Sequence, residues 1–171
     1  HSHVGCSAFL GGISSNFGTN LLIDKDSDYV VIEADEYDRS FLHLHPEIAV
    51  ITAMDADHLD IYGTREHLIE AFEEFALQTR GELFLRKGLG LKKRTITGHY
   101  AAGEKTDYYA DRLRVDNGSY LFDYIGKDLE IKDLRMCFPG RVNVENATVA
   151  ITVALYVGVT PEEIREALPL F

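Results

Sequence analysis

Two short bursts of carboxylates carry the chemistry this chain could do. Glu33, Asp35, Glu36 and Asp38 fall within one span of six residues, and Asp55, Asp57, His58 and Asp60 within another. Carboxylates this close repel one another unless a cation, or a side chain such as Arg39, neutralises them. Hard oxygen donors with an imidazole suit Mg2+ or Mn2+ better than a closed structural zinc site. The plainer alternatives are a solvated acidic loop for the first burst and a helix-capping or carboxylate-bonded His58 for the second. His43 and His45 alternate just before Pro46. With His58 they could ligate zinc, but half-exposed loop residues are the better reading. Asn143 and Asn146 stand at a helix start, three apart and so on one face. Helix capping accounts for at least one of them, and two amides could also read the edge of a base.

Other chemistry has no residues to carry it. No Gly-x-x-x-x-Gly-Lys-Ser/Thr loop occurs, and Gly126-Lys127 is followed by Asp128. The chain therefore holds no phosphate cradle of its own. A Gly-x-Ser-x-Gly elbow and a Cys/His nucleophile arrangement are likewise not found in it.

These groups need elements to position them. The first burst follows the apolar run Tyr29 to Ile32, and the second follows Ile48 to Thr52. Continuous β-branched runs between polar turns predict buried strands of a parallel sheet. In open α/β sheets ligands bind beyond the carboxyl ends of the strands, where both bursts fall. Upstream, Val4 to Ile13 reads as a helix end running into a strand, with Gly11-Gly12 as a bend. Gly18 to Ile23 reads as a short strand. Thr64 opens a helix whose Leu68, Ile69, Phe72, Phe75 and Ala76 recur at helical spacing, with Gly81 ending it. Leu83 to Leu85 follows as a strand, completing a βαβ signature.

Alternating runs between Arg94 and Phe138 predict a small antiparallel sheet attached to the main domain, with Asn117-Gly118 as its hairpin turn. Asn143 to Val157 reads as a helix packed on the sheet. Thr160, Pro161 and Glu163 form a capping-box signature for a last helix. The expected class is α/β: a mostly parallel sheet flanked by helices, with an antiparallel subdomain at about 94–138, all of residues 1–171 belonging to one domain.

Composition narrows the partners. The chain has 171 residues, 46% of them hydrophobic, and a net charge of −11. That charge argues against nucleic acid or an anionic membrane as partner. No apolar run approaches the roughly 20 residues of a membrane span. Two cysteines without motif spacing suit a reduced, cytoplasmic setting. The opening on His1 and the close on Leu170-Phe171 suggest a piece of a longer protein. An acidic domain that handles phosphates must take positive charge from metal ions, helix N-termini or other parts of that protein.

The segments EADEYDRSFLHLHP, ITAMDADHLDIYG and FPGRVNVENATVA, in this order and spacing, resemble the central domain of the Mur ligases, a P-loop NTPase-like fold. SHVGCSAFLGG is similar to the segment that follows the family's P-loop helix. The serine in DRSFLHLHP favours the alanine-adding branch. The resemblance implies an ATP-dependent amide ligation through an acyl phosphate, with Mg2+ (or Mn2+) as cofactor. It implies UDP-N-acetylmuramate, L-alanine and ATP as substrates.

By the same resemblance Glu33 and His58 are the catalytic metal-ligand positions, and Asn143 and Asn146 lie beside the adenine. Asp57 and Asp60 become partners that orient His58, and Asp35 joins them beside the metal ligands. The family's P-loop would precede His1, and its N- and C-terminal domains would lie outside the chain, which is expected to be inactive alone. Ala53 stands where the family usually has Asn, and Val142 where it has His. The helix after Asp57-His58 lacks the lysine that some relatives carbamoylate, which makes Glu73 a possible local substitute. Two competing readings are a self-sufficient metal-dependent hydrolase and a non-catalytic cation- or partner-binding module.

Overall fold

The computed structural model describes residues 2–55 and 59–171. The chain starts as a three-stranded sheet in which β1 (Ser7–Phe9) lies between an antiparallel β2 (Leu21–Leu22) and a parallel β3 (Val30–Ile32). The helix end expected over Val4 to Ile13 does not form. Gly5 takes a φ of 64°, which breaks a right-handed helix, and the chain enters β1 directly. Tyr29 to Ile32 supplies a strand as expected, but not a buried one. Val30 is 56% exposed and Val31 54%. The reason is that, among the described residues, β3 pairs with β1 alone, which leaves its other edge and much of both faces exposed.

The second run, Ile48–Ile51, is β4 and heads a six-stranded sheet. A short α1 (Leu59–Tyr62) leads to α2 (Arg65–Gln78). Thr64 caps α2 by accepting the His67 N–H, as its residue type predicts. The helix ends at Gln78, two residues before the turn toward Gly81. β5 (Glu82–Arg86) then pairs parallel to β4. Strand alternation divides the core: Ala49, Ile51, Leu83 and Leu85 pack under α2, while Phe84 faces the opposite side.

The antiparallel strands expected within 94–138 form, but they continue the main sheet instead of making a small sheet of their own. β6 (Gly98–Ala102) is parallel to β5, and β7 (Tyr108–Asp116) is parallel to β6. Only then does the sheet turn antiparallel, through β8 (Ser119–Ile125) and β9 (Glu130–Met136). Alternating patterns do not reveal strand direction, so the parallel entry through β6 was not readable. The Asn117-Gly118 turn forms as expected, with both residues at positive φ. α3 (Arg141–Tyr156) covers the face opposite α2, with Val149 and Val153 against Phe84 and Tyr100. α4 (Pro161–Ala167) carries the complete capping box between Thr160 and Glu163. No described helix is long and apolar enough to cross a membrane.

Candidate functional site

The two acidic segments meet at one edge of the molecule. A cavity of about 130 Å³ is lined by Ala34 and Glu36 from the segment after β3 and by Thr52, Ala53 and Asp55 from the segment after β4. Strands from two different sheets thus deliver their carboxyl ends to one place. Phe41, Phe72 and Phe75 close its floor. Phe41 stacks at a tilt on the other two rings, with centroids 5.3 and 5.2 Å away, and so pins the acidic loop to α2.

The loop between β3 and β4 is held by its own polar groups. Asp35 Oδ1 accepts the Tyr37 N–H at 2.8 Å, and the Asp35 carbonyl accepts the Ser40 hydroxyl. Asp38 and Arg39 sit at φ of 52° and 58° inside a 3-10 segment, Tyr37–His43. Tyr62, which is buried, donates its hydroxyl to the Glu36 carbonyl at 2.6 Å. Burial raises its phenol pKa, and the Arg39 guanidinium, 5.2 Å from the ring centroid, pulls it back. Asp35 and Ser40 therefore shape the loop before they do anything else. His43 and His45 are exposed.

Glu33 leaves the end of β3 with its carboxylate tied to the bend that follows β1. Its Oε2 accepts the Gly11 N–H at 2.8 Å, and its own N–H donates to the Phe9 carbonyl at 3.0 Å. No hydrogen bond engages Oε1 among the described residues. Gly11 was legible only as half of a Gly-Gly bend; its role beside Glu33 depends on the β1–β3 register. Asp57 and His58 lie outside the described residues. Asp60 is exposed in α1. Among the described residues no group of three His, Cys, Asp or Glu side chains is placed to hold a metal ion. The donors that are present still suit Mg2+, which takes one or two carboxylates and keeps several waters.

Glu73 is a correction. It is buried in α2, and both carboxylate oxygens are spent, accepting the Lys92 N–H at 2.6 Å and the Lys93 N–H at 2.9 Å. It pins the loop before β6 and is not free to orient a metal ligand.

The asparagines lie where α3 begins, at the end of the six-stranded sheet toward which β4 and β6 both run. The Arg141 guanidinium donates to the carbonyl of Ala102, the last residue of β6. Neither asparagine caps the helix, because the N-cap is Gly140. Asn143 Nδ2 donates back to the Pro139 carbonyl at 2.6 Å, while Asn146 is exposed. No hydrogen bond engages the Asn146 amide among the described residues, so it suits the polar edge of a base. Arg86, at the end of β5, faces Glu145 at 3.9 Å.

Residues 13–154 match the family described as Mur ligase middle domain. The chain is 45% identical to the UDP-N-acetylmuramate–L-alanine ligase of Phocaeicola vulgatus, over 99% of this chain and 38% of that protein. It is 43% identical to the ligase of the same name from Parabacteroides distasonis, again over 99% of this chain and 38% of that one. It thus spans well under half the length of these relatives. Among solved structures, the UDP-N-acetylmuramate–alanine ligase of Thermotoga maritima superposes with a TM-score of 0.79 at 24% identity, covering 98% of this chain and 39% of that one. A muramate–tripeptide ligase from Neisseria meningitides gives the same score at 22% identity, covering 98% of this chain and 58% of its own. At such identities the structural likeness speaks for the fold alone.

Proposed function

The chain belongs to the Mur ligase middle-domain family, and from that premise we propose that it is the ATP- and magnesium-handling domain of a ligase that joins L-alanine to UDP-N-acetylmuramate in peptidoglycan synthesis. The observation that carries this choice is the 45% identity to a muramate–alanine ligase, sustained across 99% of this chain. The reaction begins with transfer of the ATP γ-phosphoryl group to the muramate carboxylate, releasing ADP. The alanine amine then adds to the acyl phosphate carbon, loses a proton and expels inorganic phosphate, leaving the amide. Mg2+, when bound, neutralises charge on the phosphoryl oxygens and aligns them for transfer.

The chain's own residues bind and orient. Glu33 offers its free oxygen to the cation and His58 an imidazole nitrogen. Asp35, Asp57 and Asp60 steady the neighbouring groups and add negative potential. Asn146 faces the adenine edge, and Asn143, held by the Pro139 carbonyl, lies about one turn before it in α3. The net charge of −11 leaves the triphosphate short of positive partners within this chain. The longer relatives have room to supply them, and we assign the phosphate cradle, the muramate contacts and the alanine contacts to those parts. ATP and UDP-linked substrates place the reaction in the cytoplasm.

The test is ADP release coupled to a spectrophotometric readout, with UDP-N-acetylmuramate, alanine and Mg-ATP. The full-length protein should turn over only when all three are present, and Glu33→Ala should lower kcat by at least about 100-fold, the most that losing a group which merely orients a ligand costs. Turnover by the 171-residue chain alone, or an unchanged kcat in Glu33→Ala, would refute the assignment.

A further inference from the structure

We propose that Gly11 is a positioning residue for Glu33: its backbone N–H and its missing side chain together set where the carboxylate presents its free oxygen. This rests on the reading of Glu33 as a cation ligand. The N–H of Gly11 donates to Glu33 Oε2 at 2.8 Å. A Cβ built on Gly11 would stand 2.6 Å from both the carboxyl carbon and Oε1, and 2.8 Å from Oε2. Every carboxylate atom of Glu33 therefore lies over the face of Gly11, closer than any residue with a side chain allows.

The backbone of Gly11 is outside the left-handed region, unlike that of Gly5 or Gly18. Its φ does not demand glycine, so the demand comes from the carboxylate. Gly12 next to it supplies an internal control, because a Cβ there meets nothing within 4 Å among the described residues. The atoms that a Gly11 side chain would strike are the far end of an exposed, flexible side chain. The fold can therefore accept alanine cheaply by swinging Glu33 aside. The carboxylate cannot accept it and stay in place. A hydrogen bond that holds one oxygen of a ligating carboxylate leaves the other preorganised for a hard cation.

The experiment is Mn2+ titration of the full-length protein followed by electron paramagnetic resonance, with thermal unfolding measured on each variant. Gly11→Ala should weaken Mn2+ binding by about 10-fold, the usual loss for an outer partner of a ligand, with no change in the unfolding midpoint. Gly12→Ala should bind as wild type. On a Glu33→Asp background, whose shorter arm clears a methyl at residue 11, Gly11→Ala should change binding no further.

Wild-type affinity in Gly11→Ala, alongside loss of binding in Glu33→Ala, overturns this inference and leaves the ligand reading standing. Equal losses in Gly11→Ala and Gly12→Ala overturn it too, as does a full Gly11→Ala effect on the Glu33→Asp background. Failure of wild type to bind Mn2+, or wild-type affinity in Glu33→Ala, overturns both readings together.

Discussion

Two buried tyrosines show how one side-chain type acts oppositely at two positions. Tyr124 shares a hydrogen bond with Thr152 at 3.0 Å, whereas no partner meets the Tyr100 hydroxyl among the described residues. Burial pushes both phenols up, Tyr124 to about 12 despite the Thr152 bond that pulls it down. A satisfied buried hydroxyl contributes modestly, while an unsatisfied one costs its desolvation. Tyr124→Phe should therefore lose about 1 kcal/mol in urea unfolding, and Tyr100→Phe should lose nothing or gain by about 1 kcal/mol. Glu73 stands at the other extreme. Glu73→Gln keeps the volume but can accept only one of the two lysine amides well. A loss of about 2 kcal/mol in the same experiment is expected for a charged acceptor of buried N–H groups. No loss would return Glu73 to the candidates for the site.

Whole elements depend on single carboxylates as well. In the β7–β9 meander, Asp123 is buried and accepts Arg112 Nε at 2.6 Å and the Asp133 N–H at 2.7 Å. Arg112 and Asp133 both have positive φ, at irregularities in the strand register. One carboxylate therefore holds two bulged strands to β8. Asp123→Ala should cost about 1–2 kcal/mol, because both strands lose the one buried acceptor that Arg112 and the Asp133 N–H share. Arg114 and Asp133 form a further cross-strand ion pair on this face.

The α4 cap carries a pH dependence. Glu163 is drawn down from the ordinary 4.5 to about 2, first by the Thr160 N–H it accepts and then by the His3 N–H and ring. The fold thus favours the ionised form. Its contribution is present above about pH 4.5 and is lost as the pH falls toward 2. Glu163→Gln should flatten the pH–stability curve across that window, as followed by circular dichroism. An unchanged curve would show that the cap does not couple to folding.

At the scale of the molecule, the six-stranded sheet has helices on both faces, and among the described residues the three-stranded one is far less covered. Phe9, Tyr29, Val30, Val31 and Ile32 are each more than 40% exposed, and together they make an apolar surface on and around β3. An open apolar edge strand is a template for pairing with another chain. The 171-residue chain should bind a hydrophobic dye and self-associate with rising concentration. Val31→Lys should suppress both without lowering the unfolding midpoint, since a half-exposed valine contributes little to the core. Monomeric behaviour at every concentration in light scattering would count against an open β3.

Local pattern determined a good deal: the strands after which the acids fall, the Thr64 cap, the Asn117-Gly118 hairpin, the α4 capping box, and the family. Each is set by neighbours within a few residues, or by motifs whose order survives in the chain. Three things were decided only in three dimensions. Strand direction at β6 depends on which edge a segment joins, and alternation says nothing of that. Burial of Tyr29 to Ile32 depends on what covers them, and an apolar run cannot report its cover. The partners of Glu33 and Glu73, at Gly11 and at Lys92 and Lys93, are 22, 19 and 20 residues away along the chain. A carboxylate's chemistry is fixed by the donors that reach it, and tertiary packing chooses those donors.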